Sequence, residues 1–289
     1  MERYIEKAAA LIEALPFIQQ FRGETVVVKL GGSIMESEEG YSRIMQDIAF
    51  MECIGMFPVV VHGGGKAISR AMKEANIAPN FVQGLRVTDD ATIDVVEQVL
   101  NREVNPHLVE IIQQFHGKAR GIHGEDIIRV EKLTGADEHK DPVDWGYVGK
   151  VNHVDVEPIQ AYLKSEIVPV ITPLGKGPDG RLYNINADDA ATAVAVALKA
   201  RKLVFLTDVP GLLLDPEDRS TIISSLHLSE VDELIDRGVI AGGMLPKIKG
   251  MVGAVKSGIR KAHIIDASMA HSLLLELFTS EGVGTEITE

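Results

Sequence analysis

The sequence predicts an α/β fold in which a mostly parallel sheet is covered by helices on both faces. β-Branched runs that read as buried strands alternate with stretches of helical periodicity along most of the chain. Two of those strands run directly into glycine clusters, Lys29-Leu-Gly-Gly-Ser33 and His62-Gly-Gly-Gly-Lys66, as strands entering tight turns do. There is no fixed-period repeat and no low-complexity linker.

The elements follow in order. Ile5, Ala8, Ile12 and Leu15 stand at three- and four-residue spacing and predict an amphipathic helix over 3–21, kinked at Pro16. Residues 25–30 read as a buried strand, 42–54 as a helix, and 58–62 as a second buried strand followed by a helix to residue 75. A helical pattern over 89–115 breaks near Pro106, and 124–155 mix β-branched residues with Gly, Asp and Pro as hairpins do. Further strands are predicted at 167–172, 181–185, 202–207 and 262–265, and further helices at 187–200, 228–237, 246–259 and 270–278. A division of the chain falls, if anywhere, at 172–188.

Composition narrows the function. At 289 residues the chain has room for two domains of about 150 residues or one large α/β domain. Its 29 Lys and Arg against 42 Asp and Glu give a net charge of −13, a poor match for duplex nucleic acid or an anionic membrane. An anionic ligand must then be held by backbone amides or a few placed cations. Cys53 is the single cysteine, so neither an internal disulfide nor a cysteine zinc cage can form, which fits a reducing compartment. No stretch reaches the roughly 18 apolar residues that span a bilayer, and the apolar run at 8–12 is too short for a signal peptide. The expected location is the cytoplasm.

Several residues stand out, each with two readings. Glycines after a parallel strand either allow close packing or present bare N–H groups to an anion; two clusters at one sheet edge favour the anion. Lys29, inside an apolar strand, either snorkels to solvent or reaches a phosphate as a point charge. Asp188 and Asn186 either cap the helix that follows or face a ligand. Gly242-Gly-Met-Leu-Pro-Lys-Ile-Lys249 reads by itself as a loop and a helix start, and Arg86 as a surface cation. The familiar nucleotide motifs fail. A Walker loop ending at Gly65-Lys66 would put Val60 at its first glycine and Ala67 at its last position. The formal match at Gly175, Gly177 and Gly180 contains Pro178 and precedes a strand, not a helix.

Taken together, Val28-Lys-Leu-Gly-Gly-Ser33, His62-Gly-Gly-Gly65, Gln83-Gly-Leu-Arg-Val-Thr-Asp89, Asn184-Ile-Asn-Ala-Asp188, Thr207-Asp-Val-Pro-Gly211 and Gly242-Gly-Met-Leu-Pro-Lys247 resemble the amino acid kinase family, from about residue 24 to the C-terminus. The third and fourth segments point to the branch acting on N-acetylated glutamate. The resemblance implies a three-layer α/β/α sandwich with two lobes and an N-terminal helix extension. Residues 1–23 would be an oligomerisation helix, 24–180 a lobe for the acyl amino acid, and 181–289 a lobe for ATP and a C-terminal effector segment.

The implied reaction is ATP-dependent phosphorylation of the side-chain carboxylate of N-acetyl-L-glutamate, giving an acyl phosphate and ADP in arginine biosynthesis. A carboxylate is ionised at neutral pH, so no general base is needed. By the resemblance, Lys29 and Lys247 offset charge on the moving phosphoryl group and Asp188 orients them, while amides of Gly31, Gly32 and Gly64 cradle its oxygens. Gly64, Gly65 and Arg86 hold the substrate α-carboxylate, and Asn184 the acetamido group. Thr207, Asp208, Val209, Pro210, Gly211 and Leu212, with Val239, Ile240 and Ala241, line the nucleotide site. Mg2+ rides mainly on the nucleotide phosphates.

Family members with such an N-terminal helix resemble arginine-inhibited homo-hexamers, trimers of dimers interlaced through the helices. The resemblance therefore implies L-arginine inhibition between this helix and the tail, with His263, Glu276, Glu281 and Gly282 as effector residues. The alternative for the helix is to fold back on its own subunit. Some members also take a PII-type regulator. This chain departs from the family pattern at Lys66-Ala67, where Pro-Gln is usual, and at Ala267-Ser268, where Gly-Arg is usual. The rival readings are a kinase of a related acyl amino acid, such as a carrier-linked aminoadipate, and a non-catalytic regulatory homologue. One methylene discriminates the first by only about 1–3 kcal/mol; the presence of Lys29, Asp188 and Lys247 together argues against the second.

Overall fold

The computed structural model describes residues 1–31, 38–136, 141–279 and 282–289. Helix α1 (Glu2–Phe21) runs through Pro16, leaves Ile5, Leu11, Ile12 and Leu15 exposed, and ends on the buried Phe21. Strand β1 (Thr25–Leu30), α2 (Glu38–Cys53), β2 (Phe57–His62) and α3 (Gly65–Glu74) follow. Strands β3 (Phe81–Val82) and β4 (Leu85–Arg86) pair through a two-residue turn, Gln83-Gly84, both at positive φ as such hairpins require.

The break expected near Pro106 is absent. Helix α4 (Asp90–Glu97) passes through a π-helical stretch, Gln98–Val104, into α5 (Asn105–Gln114), with Pro106 in the first turn of α5. A proline ring crowds the turn before it, and the wider π turn, in which Asn105 N–H reaches the Leu100 carbonyl, makes room for it. The chain continues through β5 (Ala119–Ile122), α6 (Gly124–Ile127), β6 (Ile128–Lys132), β7 (Gly135–Ala136), β8 (Pro142–Val143), β9 (Gly149–Val154), α7 (Glu157–Lys164), β10 (Val168–Ile171), β11 (Leu174–Lys176), β12 (Leu182–Asn184) and α8 (Ala187–Leu198). It ends with β13 (Lys202–Thr207), β14 (Ser225–His227), α9 (Val231–Asp236), α10 (Met244–Lys256), β15 (Lys261–Asp266), α11 (Ser272–Phe278) and β16 (Thr285–Thr288).

Among the described residues, eight strands form the main sheet in the order β14-β16-β15-β13-β1-β2-β10-β5. Neighbours are parallel except β15 and β16. Strands from 24–180 occupy one half of this sheet and strands from 181–289 the other, meeting where β1 pairs with β13. A smaller sheet, β12-β11-β6-β9, contains the glycine pattern at 175–180 as an antiparallel hairpin. No helix among the described residues is long and apolar enough to cross a membrane.

Strand periodicity sorts the core into two layers. Val27, Val59, Val61, Leu203 and Phe205 pack with residues of α7, α8 and α10 on one face. Val26, Val28, Val60, Val204 and Leu206 pack with α2, α5, α11 and Phe21 on the other. The same alternation places Lys29 on the α8 face, and His62, Lys202 and His263 on the opposite one.

His62 is fully buried, and its tautomer follows from its partners. Its Nδ1 donates to the Gly63 carbonyl at 2.9 Å, so Nε2 must accept from Asn105 Nδ2 at 3.1 Å. Asn105 Nδ2 also donates to the Val170 carbonyl at 2.8 Å. Burial pushes the imidazole pKa down to about 4, against a smaller opposing pull from Gly63. The unfolded chain therefore binds this proton first, and the folded state loses stability as pH falls from about 6.5 to about 4, by about 1.4 kcal/mol per unit. Urea unfolding of wild type and His62→Gln should show that extra slope below pH 6 in the wild type alone; parallel pH dependences would contradict the assignment.

Candidate active site

Lys29 is the fifth residue of β1, flanked in register by Val61 of β2 and Phe205 of β13, and only 6% exposed. An ammonium there needs a counter-charge. Asp188, in the first turn of α8, supplies it: Oδ1 lies 2.7 Å from Lys29 Nζ, and Oδ2 accepts from Lys247 Nζ at 2.6 Å. Capping of α8 falls instead to Asn186, whose side chain accepts from the backbone N–H groups of Asp188 and Asp189. That division of labour frees the Asp188 carboxylate for the lysines. Lys247 arrives from the first turn of α10, which begins after Gly243.

The electrostatics follow from burial and the shared pairing. Burial pulls the Lys29 ammonium below its ordinary pKa; Asp188 opposes this and Lys247 adds to it. Burial pushes Asp188 up, but Lys29 and Lys247 together hold it below the usual carboxylate range. The geometry is that of one carboxylate shared by two ammonium groups.

A cavity of about 240 Å³ opens beside this triad, lined by Lys29, Asp188, Gly64, Gly65, Arg86 and Asn184 among others. Gly64 and Gly65 begin α3, and their N–H groups have no hydrogen-bond partner among the described residues. Bare amides at a helix N-terminus present partial positive charge to an anion. A side chain at Gly64 would meet Leu100 Cδ2 at 2.5 Å, whereas Gly65 faces open space. Arg86, at the end of the β3–β4 hairpin, is 6% exposed, and burial lowers its pKa. Its Nη2 donates to the Gly65 carbonyl at 2.8 Å and to Ser69 Oγ at 2.9 Å. Asn184, at the end of β12, donates from Nδ2 to Thr88 Oγ1 at 3.4 Å.

Gly31 behaves differently from the expectation of a phosphoryl cradle. Its N–H is bonded to the Leu206 carbonyl at 3.0 Å and extends the sheet, because β1 lies directly beside β13 there. Gly32 lies outside the described residues. The segment from Thr207 to Leu212 leaves the carboxyl end of β13, next to that of β1. Thr207 Oγ1 donates to the Val209 carbonyl at 3.1 Å, and Leu212 N–H donates to Thr285 Oγ1 at 2.8 Å. Gly211 sits at φ 151°, where a side chain would strike Thr285. Asp208 adds a charge that raises the Lys29 pKa, and Pro210 is half-buried. Val239, Ile240 and Ala241 join α9 to α10: Val239 and Ile240 N–H both reach the Leu234 carbonyl, and Ala241 accepts from Met244.

A second polar cluster lies on the opposite sheet face. His263 Nδ1 is 2.7 Å from Glu276 Oε1, and Glu276 Oε2 accepts from Val283 N–H at 2.9 Å beside Gly282. Burial lowers the His263 pKa; burial raises that of Glu276, but His263 and Lys202 bring it below its ordinary value. Lys202, the first residue of β13, was not among the residues singled out from sequence. Its Nζ lies 5.2 Å from the ring centroid of Phe21, at the end of α1. Glu281 lies outside the described residues. Phe81 and Ser69, beside Arg86, were also missed, since neither an exposed aromatic nor a helical serine carries a motif.

The model of the amino acid kinase family matches residues 24–266. An acetylglutamate kinase of Carboxydothermus hydrogenoformans is 46% identical over 293 aligned positions, covering 100% of both chains. Among solved structures, N-acetylglutamate synthase from Neisseria gonorrhoeae complexed with coenzyme A and N-acetyl-glutamate superposes with a TM-score of 0.85 at 26% identity, over 98% of this chain and 63% of that one. The same synthase complexed with coenzyme A and L-arginine gives 0.81 at 26% identity, over 97% and 65%. This chain thus spans less than two thirds of the synthase.

Replacing Asp188 with asparagine keeps the shape and removes the anion between two cations. Asp188→Asn should lose about 3 kcal/mol of stability in urea unfolding, the usual cost of unpairing buried charge. Asp189→Asn, one residue on at an exposed position, should lose less than about 1 kcal/mol. Equal losses would mean that the triad is not what holds this edge together.

Proposed function

This chain belongs to the amino acid kinase family, and we propose that it transfers the γ-phosphoryl group of ATP to the side-chain carboxylate of N-acetyl-L-glutamate. The observation that carries the reading is the single carboxylate of Asp188 shared by Lys29 and Lys247 at the mouth of a cavity that also holds Arg86 and two free amides.

The chemistry is a displacement between two anions. A carboxylate oxygen attacks the γ-phosphorus, the bond to the β,γ-bridging oxygen breaks, and ADP leaves with that electron pair. No proton has to be removed from the nucleophile, so the protein's task is positioning and charge compensation. Lys29 from the sheet and Lys247 from α10 offset charge spread over the transferring group, and Asp188 keeps both ammonium groups aimed. The Gly64 amide meets the phosphoryl oxygens or the substrate as it approaches. Gly65 N–H and the Arg86 guanidinium take the α-carboxylate, and Asn184 takes the acetamido group. The loops at 207–212 and 239–241 hold the nucleotide, and Mg2+ supplies further charge compensation from the nucleotide phosphates. On this reading 24–180 form the acyl amino acid lobe and 181–289 the nucleotide lobe.

Two regulatory features belong to the same proposal. L-Arginine binds at the cluster of Lys202, His263, Glu276 and Gly282, where the Glu276 carboxylate offers a partner for its guanidinium. The exposed apolar stripe of α1 packs against a second copy of the chain, building a hexamer.

A hydroxylamine-trapped acyl-phosphate assay with MgATP tests the reaction. Turnover should be confined to N-acetyl-L-glutamate over glutamate, aspartate and N-acetyl-aminoadipate, and Lys247→Ala should reduce kcat by about 100- to 1000-fold. ATP binding without turnover of any of these acids would overturn the proposal. Size-exclusion chromatography should show a hexamer that falls to dimers when residues 1–22 are deleted, with arginine inhibition weakened in the deletion. A dimer unaffected by the deletion would remove the oligomeric part.

A further inference from the structure

The contacts around Arg86 are unusually complete for a side chain meant to meet a ligand. Both hydrogens of Nη2 are committed, one to the Gly65 carbonyl at 2.8 Å and one to Ser69 Oγ at 2.9 Å. Ser69 in turn donates its hydroxyl proton to the same Gly65 carbonyl at 2.9 Å, one helical turn back along α3. Nη1 donates to Met72 Sδ at 3.1 Å, and the Phe81 ring lies 4.6 Å from Cζ against the guanidinium plane. A guanidinium has five N–H groups in one rigid plane, so fixing three of them fixes where the other two point.

We infer that Ser69 is a positioning residue for recognition of the substrate α-carboxylate: its hydroxyl locks the Arg86 guanidinium to the Gly65 carbonyl, so that guanidinium and Gly65 amide face the cavity as one preset unit. The inference rests on the reading that Arg86 receives the α-carboxylate. Without Ser69, Nη2 keeps a single anchor, and the plane can turn about the Gly65 contact. Arg86 then has to be ordered when substrate binds, a cost that appears in binding and not in the chemical step. Phe81, half-exposed on the hairpin, closes the open side of the plane and limits the same rotation. A purely structural role for Ser69 would look different. Its bond to Gly65 is an i to i−4 contact on a helix where alanine is the better helix former, so removing it should hardly change the fold.

The experiment compares wild type, Ser69→Ala and Ser69→Thr with two substrates: N-acetyl-L-glutamate and its α-carboxamide analogue, which keeps the reacting side-chain carboxylate. Wild type should favour the carboxylate strongly. Ser69→Ala should raise KM for N-acetyl-L-glutamate by about tenfold, with kcat within about twofold and an unchanged Tm, and leave the carboxamide's KM as it was. Ser69→Thr, which retains the hydroxyl, should restore the wild-type KM. Equal rises for both substrates, no rise for either, or failure of threonine to restore KM would overturn the role of Ser69 while leaving the Arg86 reading intact. A wild type that uses both substrates equally well would remove the Arg86 reading, and this inference with it.

Discussion

One carboxylate held between two ammonium groups organises the edge of the sheet beside the cavity. Asp188 is 2.7 Å from Lys29 and 2.6 Å from Lys247, and the buried Lys29 could not be held there without that counter-charge. Their pairing ties together three elements distant in sequence: the end of β1, the start of α8 and the start of α10. It also leaves the group with net positive charge facing the cavity, which is what a pair of approaching anions requires. Asn186 makes this possible by taking over the capping of α8, so that Asp188 is not consumed by its own helix.

The two-residue repeat of the strands then decides which charge serves which side. In β1, Lys29 shares a face with Val27 and meets α8. In β13, Lys202 shares a face with Val204 and Leu206 and meets Phe21 and the cluster around Glu276. Two lysines on neighbouring strands therefore end on opposite sides of one sheet. A one-residue slip in either strand would carry its lysine to the other face, and the apolar packing of both layers keeps that register fixed.

Much of this was legible in the sequence, for identifiable reasons. Strands β1 and β13 appear with the predicted boundaries because compact apolar runs bounded by polar and turn residues leave little choice. Lys29 is buried and paired with Asp188, a tertiary fact that no local pattern contains. Strands β5, β14 and β16 were not anticipated: they are four, three and four residues long, and much of their order comes from neighbours. The π-helical stretch before Pro106 was invisible as well, since proline predicts a break and the backbone answered with a wider turn. Gly31 carries the motif's glycine yet spends its N–H inside the sheet. Ser69 acts through a neighbour and leaves no pattern at all.

The strand order has a consequence for how the molecule can be made. β1 spans Thr25–Leu30, yet one of its two neighbours, β13, begins at residue 202. At the far edge, among the described residues, β14 pairs with β16, which spans Thr285–Thr288 and also pairs with β15. Neighbouring strands are thus joined across long stretches of sequence. Until β16 docks, β14 lacks its partner and one edge of β15 stays open, so the sheet is most exposed to mispairing before that short strand is in place.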